Sequence, residues 1–157
     1  MRRTVEADKA ETYPPNVQAI LKRPAPAAAH LGQRLLEIDT DEGFARVAYG
    51  LGNDHLNRYG ALHGGVIAAV MDDVISVASG LAAAWGEIVP TLEMKVSYLA
   101  QGAKGPHVAE ARVVKKGRSI LFLEAKLDDE AGKTIATASA TLMVAPFKRA
   151  DKKPKSA

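Results

Sequence analysis

Residues 57–73 of this 157-residue chain read NRYGALHGGVIAAVMDD, bringing together an asparagine, a histidine, two adjacent glycines and two adjacent carboxylates. Glycines that open a helix expose backbone N–H groups with no partner inside it, and the helix dipole adds partial positive charge there. Such a start can polarise a carbonyl and hold a developing oxyanion, and glycine lets a substrate come close. A carboxylate farther along a buried helix can attack that carbonyl or activate water, and burial raises the pKa of such a group toward neutrality. His63, Gly64 and Gly65 with one of Asp72 and Asp73 could therefore supply the two halves of a site that acts on a carbonyl.

Those halves cannot meet within one chain. Gly64 and Asp72 are eight residues apart, about 12 Å along a helix axis, whereas a reacting carbonyl must lie about 3 Å from both groups. Two copies paired about a two-fold axis, helices antiparallel, would set Gly64 of one against Asp72 of the other and create two equivalent sites. Asp73, about 100° farther round the helix, is expected to point elsewhere.

The helix that must position these groups is predicted from about Gly64 to Trp85. Val66, Ile67, Val70, Met71, Val74, Ile75, Val77 and Leu81 occupy nearly every face, so it should be buried on all sides. It nearly has the length of a membrane span, about 20 residues, but two aspartates at its middle argue against lipid. Ahead of it, LGQRLLEID and GFARVAYGL flank TDEG as a hairpin, and residues 53–62 form a polar loop. After it, Leu92, Met94, Val96 and Tyr98 alternate with polar residues in TLEMKVSYL, a strand expected to bury one face. HVAEARVVKKG, SILFLEAKL and KTIATASATLMVA follow, with DDEAG as a hairpin connection, and these four strands are expected to lie as successive antiparallel neighbours. The fold class is α+β, a curved antiparallel sheet around one long helix. Residues 1–30 read as an arm packed on that body, with a short helix around Val17, Ile20 and Leu21 closed by KRPAP. The domain proper is expected over 31–146, and 147–157 is expected to be a basic, disordered tail.

Composition narrows the partners. At 47% hydrophobic and 25% charged residues the chain has a globular composition of one-domain size. It has no cysteine, which excludes disulfides and thiolate metal sites and fits a reducing compartment. The first residues, MRRTVEADKAETYPPN, lack the apolar core of a secretory signal, so a cytoplasmic location is expected. The formal charge of +3 lies at the end: FKRADKKPKSA holds five basic residues against Asp151, a net +4 that leaves −1 for residues 1–146. With only 5% aromatics the body offers no stacking platform, so neither nucleic acid nor membrane is an expected partner.

LNRYGALHGGVIAAVMDD, followed by PTLEMKVSYL and KKGRSILFLEAKLDDEAGKTIATASATLMV, resembles the hotdog-fold acyl-CoA thioesterases of the PaaI-like (phenylacetate-pathway) type over roughly residues 28–146. The most specific element is the pair of spacings, Asn57 six residues before His63 and Asp72 nine after it. The resemblance implies a hotdog fold and a site shared between subunits, in a homodimer or a dimer of dimers. It also implies hydrolysis of a small-molecule acyl-CoA to a free acid and coenzyme A, with no metal or redox cofactor. Asp72 would be nucleophile or general base. The Gly64 N–H and the Asn57 side chain would hold the thioester oxygen, His63 would orient the loop, and Thr91 would position water beside the carboxylate. Gly65, Val66, Val70 and Met71 would line an acyl site for an aryl or a short-to-medium aliphatic group. The resemblance allows a contact to the coenzyme A phosphates without saying which cation makes it; Lys115, Lys116 and Arg118 of VVKKGRS are the candidates, with Ser119 beside them as a further substrate-binding residue.

Each residue also has a structural reading. The HGG could be a tight turn before a helix, Asn57 a turn residue, Thr91 an ordinary strand residue and VVKKGRS a solvated turn. Asp72 and Asp73 could be structural carboxylates hydrogen-bonded to the strands. His30, His55 and His107 show no ligand spacing and read as loop or surface residues. Two other functions remain at this stage: a non-catalytic acyl-CoA binding or sensing domain, and a hotdog dehydratase, which would use a catalytic histidine paired with an acid.

Overall fold

The computed structural model describes residues 1–23 and 25–147; Pro24 of KRPAP and the tail from Lys148 onward lie outside the described residues. In chain order the elements are β1 (Arg3–Thr4), α1 (Pro15–Lys22), α2 (Pro26–His30), β2 (Arg34–Asp39), β3 (Phe44–Leu51), α3 (Gly64–Ala82), β4 (Glu87–Ile88), β5 (Thr91–Tyr98), β6 (Gly105–Lys116), β7 (Ile120–Asp129), β8 (Thr134–Met143) and β9 (Ala145–Pro146). Seven strands form one antiparallel sheet in the order β1-β2-β3-β6-β7-β8-β5, and β4 pairs with β9 beside it.

Alternation along each strand decides which face meets the helix. Ala45, Ala109, Ala111, Ala125, Ala138 and Ala140 are buried on the inner face, where larger residues would hold the sheet away from α3. Alanine is a poor strand former, so its repetition in SATL and AEAR reflects the space the helix needs. From α3, Ile67, Val70, Met71, Val74, Ile75, Val77, Ala78 and Leu81 fill the core against Val47, Leu121, Leu123 and Leu142. One helix wrapped by a curved antiparallel sheet is the arrangement that the hotdog resemblance implies.

The expected hairpin over TDEG is present. Gly43 there has φ +59, and a Cβ on it would lie 2.6 Å from Val113 Cγ2 and 2.9 Å from Ala82 Cβ, so conformation and space both require glycine. The arm packs on the body as expected: Val17 of α1 is fully buried, and Asn16 Nδ2 donates to the carbonyls of Gly80 and Leu81 at 3.1 and 3.2 Å. Its first residues add an unexpected short strand, β1, to the sheet edge.

Three expectations are corrected. The helix ends at Ala82 rather than Trp85, because Ala83 turns to φ −76, ψ 153 and Lys116 Nζ donates to the Ala82 carbonyl at 2.6 Å. The last four large strands are not all successive neighbours: β5 pairs with β8 at one edge, while β6 crosses to pair with β3. Residues 99–104 make that crossing, and the carbonyl of Gly102 accepts from the Leu62 N–H at 2.9 Å, which ties the crossing to the loop before α3. The apolar face of β5 is also less covered than its alternation suggests. Met94 and Val96 are half-buried, but Leu92 and Tyr98 are 56% and 53% exposed, since the ends of this edge strand extend past what one helix covers.

Candidate active site

The helix start is built by local bonds. His63 is the N-cap of α3, and its Nδ1 accepts the Gly65 N–H at 3.0 Å. Only an imidazole with its proton on Nε2 can accept there. The His63 carbonyl takes the N–H groups of Val66 and Ile67, and the His63 N–H donates to the His55 carbonyl at 2.9 Å. Of the two glycine N–H groups expected to be free, that of Gly65 is therefore occupied. The Gly64 N–H has no acceptor among the described residues. A single amide is thus left without an acceptor among the described residues at the positive end of a 19-residue helix.

Asn57 serves a turn and keeps a donor. Its Oδ1 accepts from the N–H groups of Tyr59 and Ala61 at 2.9 and 3.3 Å, and its own N–H donates to the Ala61 carbonyl at 2.7 Å. With the oxygen occupied by two amides, the side-chain NH2 makes no hydrogen bond among the described residues and keeps its capacity to donate. Both readings of Asn57 are compatible with this geometry.

Asp72 and Asp73 separate as the helical rotation requires. The Thr91 hydroxyl donates to Asp72 Oδ1 at 2.9 Å, so the first residue of β5 lies on the carboxylate. Asp73 faces the other way. Tyr49 Oη and Gln33 Nε2 both donate to its Oδ2, at 2.6 and 2.5 Å. The desolvated carboxyl is thus Asp73: burial pushes its pKa above the usual carboxylate range, the Asp72 charge adds to this, and the two hydrogen bonds oppose it. Burial and the Asp73 charge likewise push the Tyr49 phenol far above its usual value.

This linkage has a definite sign. The folded chain holds the Asp73 proton more tightly than the unfolded chain does. The stability it contributes is full below the unfolded pKa of about 3.9 and is lost as pH rises through the higher folded value. Asp73→Asn has no charge to desolvate, and its carbonyl oxygen can accept both existing bonds. It is expected to melt above wild type at about pH 7, with the gap closing toward about pH 3, as thermal denaturation across that range would show.

The other proposed contacts divide. Gly65 is exposed and Val66 half-buried at the helix start. Met71 and Val70 are fully buried in this chain's core, packed under the sheet, and cannot wall an open acyl site as expected. Arg118 and Ser119 are exposed in the turn between β6 and β7, beside Lys115 and Lys116. These lie at the C-terminal end of α3, far from Gly64 within one chain, and Lys116 spends its ammonium on the Ala82 carbonyl. His30 is exposed, but His55 and His107 are 7% and 2% exposed, a correction to their surface reading. His55 Nδ1 accepts the Gly52 N–H, and His107 Nδ1 lies 3.1 Å from the Gly105 carbonyl, so both organise loops from inside. Among the described residues no three His, Asp or Glu side chains gather as a metal site.

Sequence reasoning missed Tyr98. Its hydroxyl donates to the Gly64 carbonyl at 2.9 Å, placing a phenol at the helix start. The available signal was the residue type, because a tyrosine on an apolar strand face brings a hydroxyl that must find a partner.

Comparison with known proteins follows this geometry. A family model described as the thioesterase superfamily matches residues 59–136. A candidate esterase of Saccharolobus solfataricus is 32% identical over 106 residues, 64% of this chain and 71% of the relative. Human acyl-coenzyme A thioesterase 13 is 27% identical over 133 residues, 83% of this chain and 86% of the relative. Among solved structures, a phenylacetic acid degradation-related protein of Ralstonia eutropha superposes with a TM-score of 0.76 at 29% identity, covering 80% of this chain and 97% of that one.

Proposed function

The chain belongs to the thioesterase superfamily and is a thioester hydrolase, and from that premise we propose that it cleaves an acyl-CoA at a site shared by two antiparallel α3 helices. Its similarity to acyl-coenzyme A thioesterase 13 supports the acyl-CoA class. The observation that carries the shared site is the Thr91 hydroxyl on Asp72 at 2.9 Å, on a helix whose free Gly64 N–H lies eight residues away. That separation is about 12 Å, too far for one carbonyl to touch both.

The surface around Asp72 suits a second copy. Gly65, Ala69 and Ser76 are exposed and Asp72 is half-buried, a stripe spaced by three and four residues along one helix face. Its small side chains let another backbone approach. Beside it, β5 ends the sheet with one side unpaired among the described residues, and Leu92, Tyr98 and Leu99 are exposed there. An open, apolar edge of this kind invites continuation by an equivalent strand.

In the pair, the Gly64 N–H and the Asn57 amide of one chain hold the thioester oxygen. Asp72 of the other attacks the carbonyl carbon or takes a proton from the water that does, with Thr91 fixing its orientation. Collapse of the tetrahedral intermediate breaks the C–S bond, and the thiolate of coenzyme A leaves and is protonated; where Asp72 itself attacks, water then cleaves the resulting acyl–Asp72 anhydride, releasing the acid and restoring the carboxylate. The net reaction consumes one water and needs no metal or redox cofactor. The turn at Lys116 and Arg118 lies at the end of α3, ten residues and about 15 Å beyond Asp72. Against an antiparallel mate it projects past the Gly64 of that mate, the direction in which a pantetheine arm would carry its phosphates. The half-buried Val66 and the exposed helix face leave room for an aryl or a short-to-medium aliphatic acyl group. The reading places the protein in the cytoplasm, where acyl-CoA is available.

Release of free thiol from aryl, short-chain and medium-chain acyl-CoAs tests this. Turnover of at least one class is the expected result; binding of all without release would make the chain a carrier or sensor. Arg118→Ala is expected to raise KM for acyl-CoA by roughly threefold to tenfold. It should leave KM for the matching acyl-pantetheine thioester, which has no nucleotide, unchanged.

A further inference from the structure

The Gly64–Gly65 peptide is held at both ends by side chains. Its N–H donates to His63 Nδ1 at 3.0 Å and its C=O accepts from Tyr98 Oη at 2.9 Å. Two consecutive glycines form the least restricted dipeptide a chain can have, and the first turn of a helix lacks the full ladder of bonds that fixes later turns. Without side-chain clamps the amide before this peptide would sample a range of directions. The ring of Tyr98 adds contact as well as a bond: a Cβ built on Gly64 would lie 3.6 Å from its Cε1, Cζ and Oη. Tyr98 is the last residue of β5, the strand that Thr91 begins. One strand thus touches the carboxylate half of the site with its first residue and the amide half with its last.

We infer that Tyr98 is a positioning residue for the reaction, acting through the Gly64–Gly65 peptide to aim the Gly64 N–H at the thioester oxygen. This rests on the proposed role of Gly64 as oxyanion donor. The donors run in one direction, from the phenol through the peptide to the imidazole, so each bond polarises the next. An amide held before substrate arrives requires no reorganisation as charge develops on the oxygen. The bond from Tyr98 therefore contributes to the transition state more than to the bound substrate.

Tyr98→Phe keeps the ring and removes only the hydroxyl. It is expected to lower kcat about tenfold while KM for acyl-CoA stays within about twofold. Hydrogen exchange at the Gly65 amide should quicken, since its peptide loses one of two anchors. His63→Ala acts on the same peptide, so the double variant should lose clearly less than the product of the two single losses. A wild-type kcat in Tyr98→Phe, a loss confined to KM, or strictly multiplicative losses in the double variant would each overturn the assignment. Were the tyrosine only a tie between β5 and α3, the variant would melt earlier but turn over normally per folded chain. Asp72→Asn, assayed beside it, separates the two levels. If Asp72→Asn is inactive and Tyr98→Phe is unimpaired, only the positioning role falls. If Asp72→Asn turns over like wild type, the site itself is misassigned.

Discussion

Asp72→Asn is expected to lower kcat by about 10³-fold, within the range of about 10² to 10⁴ for removal of a general base. Asparagine has the same shape and still offers a carbonyl oxygen to the Thr91 hydroxyl now bonded at 2.9 Å, so fold and substrate binding should survive. KM should then remain near wild type, and the loss should appear in both kcat and kcat/KM, the pattern of an interaction used only in the transition state. The neighbouring Asp73→Asn is the informative comparison. Asp73 is bound to Tyr49 and Gln33, and the Thr91 hydroxyl donates to Asp72 instead. Its amide variant should retain nearly full turnover while showing the pH-dependent stability described above. Steady-state thiol release from the two proteins would put the whole catalytic loss on one of two adjacent carboxylates. Equal rates in wild type and Asp72→Asn would remove Asp72 from the chemistry.

The contrast between those aspartates was legible because a helix converts spacing into direction: one residue is about 100°, enough to send Asp72 to β5 and Asp73 to β3. The segments that became β6, β7 and β8 were likewise legible as strands. Pairing was less legible. Hairpins carry their turns in the sequence, as TDEG and DDEAG do, whereas nothing local in TLEMKVSYL says that β5 joins β8 at the edge while β6 crosses to β3. That placement is decided by where the chain can close a sheet around α3, and it explains why an alternating strand left Leu92 and Tyr98 exposed. Met71 was misplaced for a related reason. A helix apolar on nearly every face carries no periodic signal for which side is core and which borders a site. The buried histidines failed at the level of residue type, because imidazole serves an interior loop as readily as a surface. The HGG sequence marked a helix start, but which of its two glycine N–H groups remained free depended on the His63 ring.

Complementation between two inactive chains gives the second large effect, and it follows from the distance between Gly64 and Asp72. Gly64→Val places a Cβ at 3.6 Å from the Tyr98 ring, ordinary contact, and its further methyl groups are expected to crowd the space beside the Gly64 N–H. Gly64 does not have a positive φ, so valine can adopt its backbone conformation. This variant should fold and bring activity below about 1% of wild type by removing access to an oxyanion donor. Asp72→Asn should be similarly inactive for the opposite half. If each site takes Gly64 from one chain and Asp72 from the other, a heterodimer of the two variants has one site with both defects and one with neither. Purified through two different tags after co-expression, it should recover about half of wild-type activity per dimer, a gain of roughly 50-fold or more over Gly64→Val and roughly 500-fold over Asp72→Asn. A site contained in one chain allows no such recovery, since every chain in the heterodimer carries a defect of its own. A heterodimer no more active than the mean of its parents would overturn the shared site, whereas recovery is what the roughly 12 Å between the two groups along α3 leads us to expect.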